Sequence, residues 1–210
     1  MIKPIPKAGN DPSDPGNYRP ISLLPCLGKI LERLFDRHLQ SFLETNHVIQ
    51  NEQFGFRPGH STPQQLVRVT ENIHQGFEVG GKTAILLLDI EKAFDRLWVR
   101  GLMLKCVSLN MPRWMMLFVY SFLSYRKFKV QINADLSDEK CVRAGVPQGS
   151  VLGPKLFNLY MHDLKVPSPG RLALYADDAA IYVQDTKPDR LAPKMNKILP
   201  AVEARYTKWR

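Results

Sequence analysis

Three carboxylates occupy positions where a folded chain rarely leaves a charge without a partner. Asp89 closes the apolar run 84–88, and Asp177 and Asp178 lie side by side between two β-type runs, 171–176 and 179–184. Carboxylates in apolar company are costly unless they are paired or bind a cation. No Lys or Arg falls within 84–88 or 172–184, so a divalent metal is the partner this pattern calls for. Oxygen ligands suit Mg²⁺, and two such ions ~3.5–4 Å apart stabilise the attacking and leaving oxygens of a phosphoryl displacement. Read on its own, the Asp177-Asp178 pair is better explained as an ordinary turn, because Asp bonds readily to its own backbone there.

A second pattern points elsewhere. Gly76-Phe77-Glu78-Val79-Gly80-Gly81-Lys82-Thr83 satisfies the phosphate-loop pattern of NTPases, and residues 85–89 follow it like a Walker B strand. A working phosphate loop leaves a strand and enters a helix whose N–H groups hold the phosphate. Here the order is reversed, with a helix stop followed by a strand, so the NTPase reading stands only as an alternative. His38, His47, His60, His74 and His162 lack zinc-ligand spacing, and no Ser or Cys sits in a nucleophile elbow. Neither zinc nor covalent catalysis is expected.

The elements that must position the carboxylates are of mixed type. Pro4, Pro6, Pro12, Pro15, Pro20 and Pro25 exclude a regular helix from the start of the chain and predict short extended pieces and turns. Over 26–46, Leu27, Ile30, Leu31, Leu34, Phe35, Leu39, Phe42 and Leu43 recur at helical steps, predicting an amphipathic helix with its charges outward. A second helix is expected from Thr62 to the Gly80-Gly81 stop, with Ser61 or Thr62 as cap, Pro63 in the first turn and Leu66, Val67, Val69, Ile73 and Phe77 as its apolar stripe. The run 84–88 reads as a strand buried on both faces. Helices are expected over 91–109 and 112–125, then a half-exposed strand through Phe128, Val130 and Ile132 with 139–144 as its partner. A loop at 145–153 leads into a buried helix over 151–164, then two strands joined at Asp177-Asp178, then a solvated helical tail over 188–210.

Composition sets outer limits. The chain has 210 residues, 44% of them hydrophobic, which is enough for a sizeable core and excludes a disordered polar chain. Lys and Arg number 29 against 20 Asp and Glu, a balance of +9 that suits a phosphate-rich partner. Cys26, Cys106 and Cys141 are odd in number and widely spaced, which argues against a disulfide framework. No apolar run reaches the ~18 residues of a membrane span, and no secretion signal opens the chain. An intracellular protein, in nucleus and cytoplasm, is expected.

Taken together, the motifs resemble those of reverse transcriptases. Tyr175-Ala176-Asp177-Asp178 resembles the (Tyr/Phe)-x-Asp-Asp box, motif C. Asp89-Ile90-Glu91-Lys92-Ala93-Phe94-Asp95 resembles motif A, and Gly145-Val146-Pro147-Gln148-Gly149-Ser150-Val151-Leu152-Gly153-Pro154 resembles motif B. Upstream, Gln53-Phe54-Gly55-Phe56-Arg57-Pro58-Gly59-His60-Ser61-Thr62 is similar to a fingers segment. Ile5-Pro6-Lys7 with Asn17-Tyr18-Arg19-Pro20-Ile21-Ser22-Leu23-Leu24-Pro25 is similar to the first fingers motif of non-LTR retrotransposon enzymes, the jockey-like insect elements in particular.

The resemblance implies an α+β right-hand polymerase. Fingers would span 1–82, with part of the palm-packing helices, and a palm of antiparallel sheet packed on helices would span 83–210. The chain stops at Tyr206-Thr207-Lys208-Trp209-Arg210, before the family's thumb, so a thumbless fragment is expected. The implied activity is RNA-directed addition of dNTPs to a DNA primer on an RNA template, using two Mg²⁺ ions or Mn²⁺ in their place. Asp89, Asp177 and Asp178 would be the catalytic metal ligands, joined by the Ile90 carbonyl. Lys7 and Arg19 would hold the triphosphate, Phe94 would exclude a 2′-OH, and Gln148 and Gly149 would lie beside the nucleotide. Arg57, Lys127 and Lys129 would touch nucleic acid. A catalytically silent palm that only binds nucleic acid is the alternative.

Overall fold

The structure, a computed structural model, describes residues 1–209; Arg210, the last position of the expected helical tail, lies outside the described residues. The chain opens with β1 (Ile2–Pro6), β2 (Tyr18–Ser22), α1 (Cys26–Thr45), α2 (Thr62–Glu78) and β3 (Lys82–Leu88). Next come α3 (Ala93–Arg96), α4 (Val99–Ser108), α5 (Arg113–Leu123) and four short strands, β4 (Lys127–Phe128), β5 (Gln131–Ile132), β6 (Asp135–Leu136) and β7 (Lys140–Cys141). It closes with α6 (Gly153–Met161), β8 (Arg171–Tyr175), β9 (Asp178–Asp185) and α7 (Leu191–Lys208). Two compact units result: Met1–Asn46 with Lys92–Phe157, and His47–Glu91 with the chain from Asn158 onward.

In the first unit, β1 and β2 form an antiparallel hairpin in which Pro4 faces Pro20, so the missing N–H groups fall on a two-stranded ladder that tolerates them. α1 and α5 meet through an aromatic cluster in which the buried Phe35 stacks on Phe118 at 3.9 Å between ring centroids and meets the exposed Trp114 edge-on at 5.9 Å. The apolar stripe expected of α1 is corrected in its first half. Leu27, Ile30, Leu31 and Leu34 face solvent, and Glu32 is buried with Phe35, Leu39 and Leu43. The cause is a long-range polar anchor, because the Glu32 carboxylate accepts hydrogen bonds from the backbone N–H of Val151 (2.7 Å) and Leu152 (3.1 Å) just ahead of α6. α6 itself begins at Gly153, later than the expected 151.

The single helix expected over 91–109 is two helices. Gly145 N–H donates to the Leu97 carbonyl and Val146 N–H to the Phe94 carbonyl, so acceptors that a continuous helix would use internally are taken by the 145–153 loop. The strand expected through Phe128 to Ile132 is also divided. β4 pairs with β7, while β5 pairs with β6 in a tight hairpin that turns through Asn133 at positive φ.

The second unit is built on a three-stranded antiparallel sheet in the order β3-β9-β8. Leu88 stands opposite Ala179, and Tyr175 opposite Asp178. β3 is an edge strand, which corrects the expectation of burial on both faces: Ile85 is 46% and Leu87 77% exposed. α2 packs on the sheet largely through polar and small residues, correcting its apolar stripe in part: Val69 and Ile73 are half-buried. Leu66, Val67 and Phe77 are exposed, while Gln65 is buried and donates to the Glu52 and Leu174 carbonyls. α7 is amphipathic and not simply solvated. It buries Met195, Ile198 and Val202, and Lys194 pairs with Asp185 at 2.6 Å. Among the described residues no helix is long and apolar enough to cross a membrane.

Candidate functional site

The sheet of the second unit gathers the three carboxylates at one edge. β8 and β9 are joined by the two-residue turn Ala176-Asp177, so Asp177 sits at the tip while Asp178 is the first residue of β9 and not part of the turn. Asp89 follows Leu88, the last residue of β3 in register with β9, and the same register continued by one residue sets Asp89 against Asp178. Facing residues of adjacent strands point to one side of a sheet, so Tyr175, Asp178 and Asp89 share a face. Asp89 and Asp178 are exposed and Asp177 is half-buried. Burial raises the Asp177 pKa above the ordinary carboxylate value, and the neighbouring charges of Asp178 and Asp89 push in the same direction. Among the described residues no Lys or Arg pairs with any of the three, and no three Asp, Glu, His or Cys side chains form a ready-made metal cage.

The turn is held from behind by residues that sequence reasoning passed over. The buried Gln53 side chain donates from Nε2 to the Ala176 carbonyl (3.1 Å), and its Oε1 accepts from Ala176 N–H (3.0 Å) and Gly55 N–H (2.8 Å). Residues 52–54 run beside β8, with Phe54 N–H donating to the Leu174 carbonyl and Leu174 N–H to the Glu52 carbonyl. At Gly55 the backbones touch so closely that a Cβ would lie 2.1 Å from the Ala176 nitrogen. The signal available in the sequence was a Gln and a Gly flanking Phe54 in a segment too short for a helix.

Lys7 and Arg19 share one face of the β1–β2 hairpin, because Arg19 stands opposite Ile5, two residues from Lys7. Lys7 Nζ rests on the Gly16 carbonyl at 3.3 Å. The Phe94 ring stacks on Phe157 at 4.7 Å. Gln148 donates to Asp95 Oδ1 at 2.9 Å, and Gly149 beside it is exposed. Asp95 closes the motif A stretch; burial raises its pKa, while the Gln148 bond and the Lys92 charge oppose that rise. Arg57 donates to the Gln50 carbonyl, Lys127 is ion-paired with Glu139 at 2.7 Å, and Lys129, just past the end of β4, is exposed. Ile90 is half-buried directly after Asp89.

The phosphate-loop pattern resolves into a helix terminus. Gly80 has φ +71°, its N–H donates to the Phe77 carbonyl, and Gly81 N–H donates to the Gly76 carbonyl. These are the paired bonds of a Schellman cap, so these amides serve α2 itself and are not turned toward a phosphate.

A mixed fold whose antiparallel sheet carries aspartates at a hairpin and on the adjacent strand end is the frame of a right-hand polymerase, and solved structures agree. The apo telomerase of Candida tropicalis truncated from its C-terminal domain superposes with a TM-score of 0.62 at 12% identity, covering 100% of this chain and 47% of that one. The telomerase of Candida albicans, solved with a three-way-junction (TWJ) fragment of telomeric RNA, gives 0.58 at 15% identity over 95% of this chain and 38% of that one. The chain belongs to the reverse transcriptase (RNA-dependent DNA polymerase) family, whose model matches residues 5–210. It is 41% identical over 86% of its length to a probable RNA-directed DNA polymerase from transposon X-element of Drosophila melanogaster. It is 42% identical over 84% to the RNA-directed DNA polymerase from mobile element jockey of the same organism. The chain spans 20% of the length of each of these two relatives.

Proposed function

We propose that the chain performs RNA-templated DNA synthesis, adding dNTPs to the 3′-OH of a DNA primer, with fingers over 1–82 and palm over 83–210. The observation that carries this reading is the carboxylate edge of the β3-β9-β8 sheet, where Asp89, Asp177 and Asp178 lie together with no cation paired to them among the described residues. The donor set fits a hard divalent ion in chemistry, being all oxygen and in mutual repulsion, and a repelling set closes into a cage only around a cation. Asp89 and Asp177 would hold Mg²⁺ or Mn²⁺ directly, with the Ile90 carbonyl beside them and Asp178 as a further ligand. Two such ions supply the charge that steadies the attacking and leaving oxygens of phosphoryl transfer.

The remaining roles follow the family pattern. Lys7 and Arg19, on one hairpin face, present a point charge and a planar fork to a triphosphate. Phe94 opposes a ribose 2′-OH, and Gln148, steadied by Asp95, lies with Gly149 beside the nucleotide. Arg57 and Lys129 meet the phosphate backbone of template or primer, and Lys127 joins them by exchanging Glu139 for phosphate. RNA as template accords with the names of the RNA-directed DNA polymerases to which the chain is 41% and 42% identical.

Primer extension on poly(rA)/oligo(dT) with Mg²⁺ tests the reading, in this chain and in a longer form spanning the length of its relatives. Asp177→Asn and Asp89→Asn should each remove incorporation while leaving the circular dichroism spectrum unchanged. Near-normal turnover in either variant overturns the assignment. Nucleic-acid binding without any Mg²⁺-dependent incorporation in the longer form would make the protein a binding module.

A further inference from the structure

We propose that Gln53 is a positioning residue for the candidate active site, fixing the turn that aims the Asp177 carboxylate. This rests on the metal-site reading above. The turn between β8 and β9 has two central residues, Ala176 and Asp177, and Ala176 adopts φ 58°. A hairpin turn of this length with positive φ at its first central residue ordinarily takes Gly there. An L-residue in that conformation persists only where its surroundings over-determine it. Gln53 supplies that determination. One amide, 2% exposed, answers both the N–H and the carbonyl of Ala176, and its oxygen is shared with Gly55 N–H. The Gly55 carbonyl is in turn held by Asn158 Nδ2 at 2.8 Å. Both backbone polar groups of the residue before Asp177 are thus fixed by one side chain that lies 123 positions away in sequence.

A buried Gln that merely satisfies three backbone groups would have the same hydrogen bonds, so the two roles must be separated by what they do to metal binding. Partners that orient a metal ligand from outside the coordination shell typically affect metal affinity by 10–100-fold when removed. The test is Mn²⁺ binding to the 210-residue chain, followed by the electron paramagnetic resonance of free Mn²⁺, with melting temperatures taken with and without the metal. Gln53→Met keeps the bulk and removes all three bonds. It should weaken Mn²⁺ binding about tenfold or more and shrink the metal-induced rise in Tm. Asp177→Asn should weaken binding at least as much with the metal-free Tm unchanged. If Gln53→Met melts lower yet binds Mn²⁺ within twofold of the wild type while Asp177→Asn does not, Gln53 is structural only and the proposal falls. If Asp177→Asn binds as the wild type does, the metal-site reading itself is wrong. Should Gln53→Met fail to fold, Gln53→Asn, too short to reach both Ala176 groups at once, is judged by the same two readouts.

Discussion

Replacing Gly55 with Ala should do far more damage than the size of a methyl suggests. The added Cβ would stand 2.1 Å from the Ala176 nitrogen and 2.9 Å from both Ala176 Cα and the Tyr175 carbonyl carbon, all of them backbone atoms that no rotamer change can move aside. Ordinary contact begins near 3.4 Å, so the turn must retreat by roughly 1.3 Å. A retreat of that size stretches the Gln53–Ala176 bonds of 3.0 and 3.1 Å past hydrogen-bonding range. Overpacking costs about 1–3 kcal/mol, and each of the two lost bonds about 1 kcal/mol more, so a loss of about 3–5 kcal/mol is expected. At about 2–4 °C per kcal/mol for a chain of this size, Tm should fall on the order of 10 °C. Gly59→Ala is the matched control, because Gly59 has φ +71° but nothing within 4 Å of its would-be Cβ. Its cost is conformational only, roughly 1–2 kcal/mol for the left-handed backbone, partly offset by a stiffer unfolded chain. Thermal unfolding of both variants by circular dichroism separates contact from conformation. A Gly55→Ala variant melting within about 2 °C of the wild type, or a Gly59→Ala variant melting lower than it, would refute the close-approach argument.

Three further outcomes follow from the packing. Native protein should expose two thiols to a disulfide reagent, since Cys26 and Cys141 are exposed while Cys106 is buried with its pKa pushed up to about 12; fast reaction of a third thiol before unfolding would contradict this. Glu32→Ala leaves the Val151 and Leu152 N–H groups without their acceptor and should lower stability by about 2–4 kcal/mol in urea unfolding, whereas an unchanged midpoint would mean those amides find other partners. Phe94→Val should raise the ratio of rNTP to dNTP kcat/KM by relieving the collision with a 2′-OH. A packing role alone, through the Phe157 stack, predicts a loss of roughly 1–4 kcal/mol with both activities falling together and the ratio unmoved.

Apolar periodicity made the elements of the candidate site readable, and long-range polar contacts hid their orientation. The run 84–88 and the β-type runs on either side of Asp177-Asp178 are strands because branched and aromatic residues fit a pleated ladder, and the register continued by one residue then sets Asp89 against Asp178. Periodicity failed where one buried polar side chain answers backbone groups far along the chain. α1 is turned toward Glu32, not toward Leu27, Ile30, Leu31 and Leu34, because two amides 119 and 120 residues away need its carboxylate. α2 is turned toward Gln65 for the same reason, its amide reaching the Leu174 carbonyl 109 residues away. An unpaired buried amide costs about 1–3 kcal/mol, comparable to exposing one Leu side chain, so each such bond competes on equal terms with one residue of an apolar stripe. Gln53 belongs to this class. Its neighbours Phe54 and Gly55 look like loop composition, yet the three together back the turn that carries Asp177. A Gln or Glu that breaks an otherwise apolar or glycine-bearing segment is therefore best read as a tether to distant backbone, and the segment it reaches is the one whose geometry must be held.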